Sequence, residues 1–168
     1  MVNILQRISE LGSRVEGFML AALEQNVEPD FVPLVIYQAI TGGKRIRPAI
    51  TILFAEAVNE SSSRISEDVA RAAAGIELIH SYSLIVDDII DSGDMRRNQL
   101  TTRAKFSNEM ALLVGMSYRE SINDCAVSIA KSEQVLKIYS DTIRNLIEGE
   151  RLDILMEQRQ SHDYFLTT

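Results

Sequence analysis

Asp87-Asp88-Ile89-Ile90-Asp91 places three carboxylates at the end of an otherwise apolar run, and carboxylate oxygens are the ligands that a hard divalent cation such as Mg²⁺ prefers. In a helix, at about 100° per residue, Asp87 and Asp91 fall within roughly 40° of each other, and His80 lies about 20° from Asp87. One face therefore carries three polar groups. The placement is costly, because a helix C-terminus already bears partial negative charge, so cations must come from elsewhere. Two clusters could supply them. Gly42-Gly43-Lys44-Arg45-Ile46-Arg47-Pro48 combines a freed backbone with three converging basic side chains, just ahead of a helix with Pro48 in its first turn. Arg96-Arg97 follows the aspartates by a few residues, and arginine forks bind phosphate oxygens bidentately. Taken singly, each feature has a plainer reading: a solvated helix end, a basic connector, or charge compensation for Asp87, Asp88, Asp91 and Asp94. Jointly, a carboxylate pair for a metal and two basic clusters point to a diphosphate ligand.

The elements that must position these residues are helical. With 8 Gly and 3 Pro in 168 residues and 46% hydrophobic content, disordered and collagen-like classes are excluded, and the length fits one domain over 1–168. Apolar residues recur at spacings of three and four, which predicts helices over Val2–Gln25, Phe31–Ile40, Arg47–Val58, Ser66–Ile90, Asn108–Ala130 and Ser132–Glu157. Between them lie Val27–Asp30, Thr41–Gly43, Asn59–Ser63 and Ser92-Gly93 as breakers. No strand pattern competes, so the fold class is an all-α bundle. Ser66 is the expected N-cap of the aspartate-bearing helix. Met110, Met116 and Met156 read as packing residues.

A net charge of −7 argues against a broad nucleic-acid surface. The single cysteine, Cys125, has no basic neighbour in sequence to activate it, and with no signal-like N-terminus a reducing, cytoplasmic setting is expected. The apolar stretches fall short of the roughly 18 residues a bilayer crossing needs, so no transmembrane segment is expected.

GGKRIRP, a helix carrying HSYSLIVDDIID, and MRRNQLT, in that order, resemble the trans-isoprenyl diphosphate synthase (polyprenyl synthetase) family from about Phe31 onward, and Gly149-Glu150-Arg151-Leu152-Asp153 looks like a later helix motif of that family. The resemblance implies the helical fold of isoprenoid synthases around an apolar cavity, and association as a homodimer or with a longer homologue. It implies condensation of isopentenyl diphosphate with an allylic diphosphate. By similarity, Asp87 and Asp91 would ligate Mg²⁺, Asp88 would complete the aspartate motif, and Arg96 would contact the allylic phosphates. Lys44, Arg47, His80 and Arg97 would hold isopentenyl diphosphate, and Asp153 would stand near the metal cluster. Ser83 and Tyr82, four and five residues before the first aspartate, occupy the positions associated with product length. An aromatic only at the fifth resembles short-chain, geranylgeranyl- or farnesyl-type enzymes. A regular helix sets Tyr82 about 140° from Asp87, so Tyr82 reaches the same cavity only through a helix distortion or a cavity that wraps that side.

The sequence departs from the family pattern at Asn98 and Leu100, where Gly and Pro are usual, and at Met116, where an aspartate is usual. The family's second aspartate-rich motif and its lysine-bearing segment have no counterpart in 1–168, so the metal site is expected to be incomplete within this chain. Two readings stay open beside the enzyme. One is a non-catalytic or regulatory subunit of a longer synthase. The other is a carboxylate-bridged di-iron bundle built on Glu77-x-x-His80, which lacks a second such motif.

Overall fold

The computed structural model describes residues 3–25, 27–58 and 66–166, with side chains to 158. Among these the order is α1 (Ile4–Glu24), α2 (Val32–Ile40), α3 (Ile46–Val58), α4 (Glu67–Ile90), β1 (Met95–Arg96), β2 (Gln99–Leu100), α5 (Thr102–Lys105), α6 (Asn108–Val127) and α7 (Ser132–Leu166). The all-α reading holds, and the six predicted helices are present. The Asn59–Ser63 connector lies outside the described residues.

Capping residues set the helix starts. Ser66 Oγ accepts from the Val69 amide at 3.2 Å, and Glu67 and Asp68 fill the first turn of α4, where anions complement the macrodipole. Ser107 caps α6 through the Met110 amide, and Thr101 caps α5 through that of Ala104. α4 is the central helix, packed against α1, α3, α6 and α7. Its small buried residues, Ala70, Ala73 and Ala74, allow that close approach. Around it, Leu11, Val15 and Met19 of α1, Ile52 of α3, and Val114, Tyr118 and Ile122 of α6 form the core. α7 docks through Tyr139, whose hydroxyl donates to the Ala72 carbonyl at 2.6 Å. By length and composition alone α4 could cross a bilayer, yet half of its most apolar window is buried inside this bundle.

Three expectations change. A short antiparallel hairpin, Met95 opposite Leu100 and Arg96 opposite Gln99, stands where no strand was predicted. Its two loop residues, Arg97 (φ 53°) and Asn98 (φ 61°), are both left-handed, the pattern of a type I′ turn, which fits the twist of the flanking strands. Asn adopts that conformation more readily than most residues other than Gly, which accounts for Asn98 at a position where the resemblance led to the expectation of glycine. Second, α6 stops at Val127 and α7 runs on to Leu166. Third, Met110, Met116 and Met156 are exposed rather than packed, Met116 at 60%, because no element among the described residues covers those parts of α6 and α7.

Candidate diphosphate and metal site

α4 ends in a left-handed cap. The Gly93 amide donates to the Asp88 carbonyl at 2.9 Å and Ser92 has φ 56°, a Schellman-type closure. That cap turns the chain back, so the hairpin lies beside the aspartates. Thr101 then clamps it: the hydroxyl donates to the Gly93 carbonyl at 2.6 Å and the amide to the Asp94 carbonyl at 3.0 Å.

The hairpin divides its two arginines between two places. Arg96 reaches back to α4, donating from Nη2 to Asp87 Oδ2 at 2.6 Å and to Asp88 Oδ1 at 2.9 Å, and from Nε to Asp88 Oδ1 at 3.1 Å. Asp88 is buried, and burial pushes its carboxyl above the usual carboxylate range against the opposing pull of Arg96. Arg97 instead donates from Nη1 to the Gly42 carbonyl, next to Lys44, Arg45, Arg47, Glu77 and His80, with which it lines one cavity. A Cβ at Gly43, whose φ is +155°, would stand 2.8 Å from Arg97 Nη1. The positive φ favours glycine there, and a side chain would push the Arg97 guanidinium aside.

His80 joins the cations and not the aspartates. Burial, then the charge of Arg47, holds its imidazole below the ordinary histidine value; Arg97 and Arg96 add to this and Glu77 opposes it. Lys44 and Arg47 are exposed and make no side-chain ion pair among the described residues. Of the three cations expected to converge, Arg45 departs: it turns inward to Glu77 Oε1 at 3.2 Å. Glu77 is therefore engaged by a guanidinium, which removes the di-iron reading of Glu77-x-x-His80.

Asp87 and Asp91 share the end of α4, and Asp91 is exposed with no side-chain partner among the described residues. Burial raises the carboxyl of Glu150 in α7 above the usual range, and the negative charges of Asp87 and Asp91 raise it further, followed by those of Asp153 and Glu157. In the sequence Glu150 stands out only as part of a motif; that it lines one cleft with Ile90 of α4 is tertiary and follows from how α7 packs on α4. Among the described residues no three His, Cys, Asp or Glu side chains are grouped as a closed metal site. The donors nonetheless suit Mg²⁺, which takes one or two carboxylates and completes its shell with water and substrate phosphate.

From this acidic end an apolar cleft runs between α4 and α7, lined by Tyr82, Ser83, Val86, Ile90, Ile147 and Ile154 among others. Tyr82 also lines a second cleft, between α4 and α6, with Ala111, Leu112 and Met116. α4 is continuous through this stretch. Counting about 100° per residue, Tyr82, Val86, Ile90, Ser83 and Asp87 follow one another around about 140° of the helix. The cavity thus wraps the side of α4 and no distortion is needed.

The polyprenyl synthetase family model matches residues 31–167. The chain belongs to the polyprenyl synthetase family. Its relatives include an octaprenyl diphosphate synthase of Escherichia coli (strain K12), 35% identical over 90% of this chain and 46% of the relative. A geranylgeranyl pyrophosphate synthase of Geoglobus acetivorans is 36% identical over 71% of this chain and 38% of the relative. The solved geranylgeranyl pyrophosphate synthetase of Pyrococcus horikoshii OT3 superposes with a TM-score of 0.80 at 25% identity, covering 92% of this chain and 47% of that one. The chain thus spans about half the length, or less, of these polyprenyl synthetase relatives, and it carries the isoprenoid synthase fold over that span.

Proposed function

We propose that this chain is a prenyltransferase-type domain that binds isopentenyl diphosphate and an allylic diphosphate for their condensation in isoprenoid biosynthesis. The observation that carries the reading is the division made by the hairpin: Arg97 beside Lys44, Arg47 and His80, and Arg96 beside Asp87 and Asp88. Two diphosphates could so be held on either side of one turn. In the reaction the allylic C1–O bond breaks and diphosphate leaves with the electron pair. The isopentenyl double bond then attacks C1, and a proton is lost from the isopentenyl unit. Asp87 and Asp91 would hold Mg²⁺, which supplies neutralisation of the departing charge. Lys44, Arg47 and Arg97 fix the isopentenyl diphosphate, and Arg96 orients Asp87 and Asp88 and can turn to the allylic phosphates. Preorganised cations and dipoles of this kind act where charge develops. The apolar cleft leading to Tyr82 would take the growing chain, and the aromatic wall supports a short, geranylgeranyl-like product.

The span 1–168 would act as one domain, in a reducing, cytoplasmic compartment. Cys125 is consistent with an inert thiol, since burial pushes it up to about 12. The exposed Leu112, Leu113 and Met116 of α6 and Ile138, Leu155 and Met156 of α7 favour association as a homodimer or with a longer homologue, because apolar patches of this kind mark interaction sites. The same surface favours a second reading, a non-catalytic or regulatory subunit of a longer synthase.

The test is prenyl transfer with isopentenyl diphosphate, a set of allylic diphosphates and Mg²⁺, by the chain alone and mixed with a longer relative, beside Asp87→Ala. Product that Asp87→Ala removes is the expected outcome. Failure of the chain to bind either diphosphate would contradict the reading. Recovery of a longer homologue by pull-down from the native cell, with no turnover by the chain alone, would favour the subunit.

A further inference from the structure

Arg45 is the one cation of the Lys44-Arg45-Ile46-Arg47 run that does not face outward. Its side chain is 10% exposed and bonds Glu77 Oε1 at 3.2 Å; Glu16 Oε1 lies 3.7 Å away, and Nη2 donates to the Ala39 carbonyl. The backbone bends to allow this. Arg45 has φ +46°, a conformation that non-glycine residues adopt only when their surroundings impose it. On α1 the facing residue is Gly12, where a Cβ would come within 2.6 Å of Arg45 Cβ, so α1 has been reduced to bare backbone where Arg45 enters.

Glu77 depends on this contact. Its side chain is 4% exposed, and its second oxygen, Oε2, is buried without a hydrogen-bond partner. A buried carboxylate stripped of its cation is strongly unfavourable, so the pair is held together from both ends. One end is the loop that carries Lys44 and leads into Arg47 at the start of α3. The other is the turn of α4 immediately before His80.

We infer that Arg45 is a positioning residue: its buried pair with Glu77 pins the Gly42–Arg45 loop and the start of α3 to α4 and so sets the spacing of Lys44 and Arg47 from His80 for an isopentenyl diphosphate. The inference rests on the reading of that cavity as a diphosphate site. Arg45 itself does not bind the diphosphate, since its charge is already met by Glu77 and Glu16. Among the described residues neither Arg45 nor Glu77 makes a hydrogen bond or ion pair with Asp87, Asp88 or Asp91, so the allylic side is independent of the pair.

The experiment titrates isopentenyl diphosphate, and separately farnesyl diphosphate with Mg²⁺, into the whole chain and into Arg45→Lys, Glu77→Gln and Lys44→Ala, with circular dichroism on each. Arg45→Lys retains the charge and loses the fork; Glu77→Gln retains the shape and loses the charge. Both should weaken isopentenyl diphosphate by about tenfold, the scale of losing one charge-assisted bond, and leave farnesyl diphosphate within about twofold. A merely structural role would weaken both ligands together, and that result overturns the inference. So would loss of helical signal in both variants, which would make the pair a support of the whole bundle. Unchanged isopentenyl diphosphate binding in Arg45→Lys and Glu77→Gln, with a loss in Lys44→Ala, overturns the positioning role and leaves the diphosphate reading standing. No binding by the unsubstituted chain, or no effect of Lys44→Ala, removes the diphosphate reading and this inference with it.

Discussion

Arg96 and Arg97 are consecutive residues whose guanidinium groups serve opposite sides of the site, Arg96 on the carboxylates of Asp87 and Asp88 and Arg97 on the Gly42 carbonyl. The left-handed turn through Arg97 and Asn98 is what parts them. A regular strand would also send neighbours to opposite faces, but only the tight turn brings the second arginine onto the glycine loop.

Removing Arg96 should destabilise the fold. Asp88 is 5% exposed on its side chain and Arg96 is its ion-pair partner, so Arg96→Ala leaves a buried carboxylate with no cation. The expected loss is about 2 kcal/mol, below the value for a fully buried pair because Arg96 is partly solvated. For a chain of this size that is a fall in Tm of about 5 °C, measured by thermal denaturation. Asp88→Asn/Arg96→Ala should recover part of the loss.

Gly43→Ala should weaken isopentenyl diphosphate binding more than it weakens the fold. The added methyl would meet Arg97 Nη1 at 2.8 Å, and a flexible side chain can yield, so Arg97 is displaced from the cavity. A loss of about 1 kcal/mol of stability from the positive φ, with about tenfold in affinity from the displaced guanidinium, is expected in melts and calorimetry.

His80 should give stability a slope near neutral pH. Its folded-state pKa lies below 6.5 because burial and Arg47 disfavour the imidazolium, with Arg97 and Arg96 in the same sense and Glu77 opposed. The unfolded chain then takes up the proton first, so this contribution is fully present above about pH 6.5 and is lost as pH falls below it. His80→Gln should remove that slope between pH 5.5 and 7, as read from denaturant titrations at several pH values. Equal slopes in the two proteins would show that His80 is not held neutral.

Tyr82 stands between the α4/α7 cleft and the α4/α6 cleft. Tyr82→Ala should join them, and the product, resolved by chromatography of the dephosphorylated prenyl alcohols, should lengthen. Products of unchanged length would place the chain-length wall elsewhere.

The helices were legible because apolar spacing of three and four over ten or more residues is a long-range signal, and Ser66 with Glu67 and Asp68 marked a start that the structure confirms. The hairpin was not, since strands of two residues offer no alternation to read, although Asn98 is the residue such a turn favours. The aspartates and the basic clusters were visible as types and spacings. That Arg45 turns inward was not, because in a loop a single positive φ reverses a side chain's direction and no helical periodicity records it. Helical angle alone groups His80 with Asp87 and Asp91. The structure assigns it to the cations because the loop before α3 and the hairpin both reach α4 at that turn.

The central claim, that the end of α4 holds an allylic diphosphate through a divalent cation, is tested most directly by calorimetric titration of farnesyl diphosphate into the chain with and without Mg²⁺, beside Asp87→Ala and Asp91→Ala. The account predicts binding that requires Mg²⁺ and weakens at least about tenfold in each variant, as loss of a metal-ligating carboxylate does. Binding that is equally tight in the presence of a chelator, or unchanged in both variants, would contradict it.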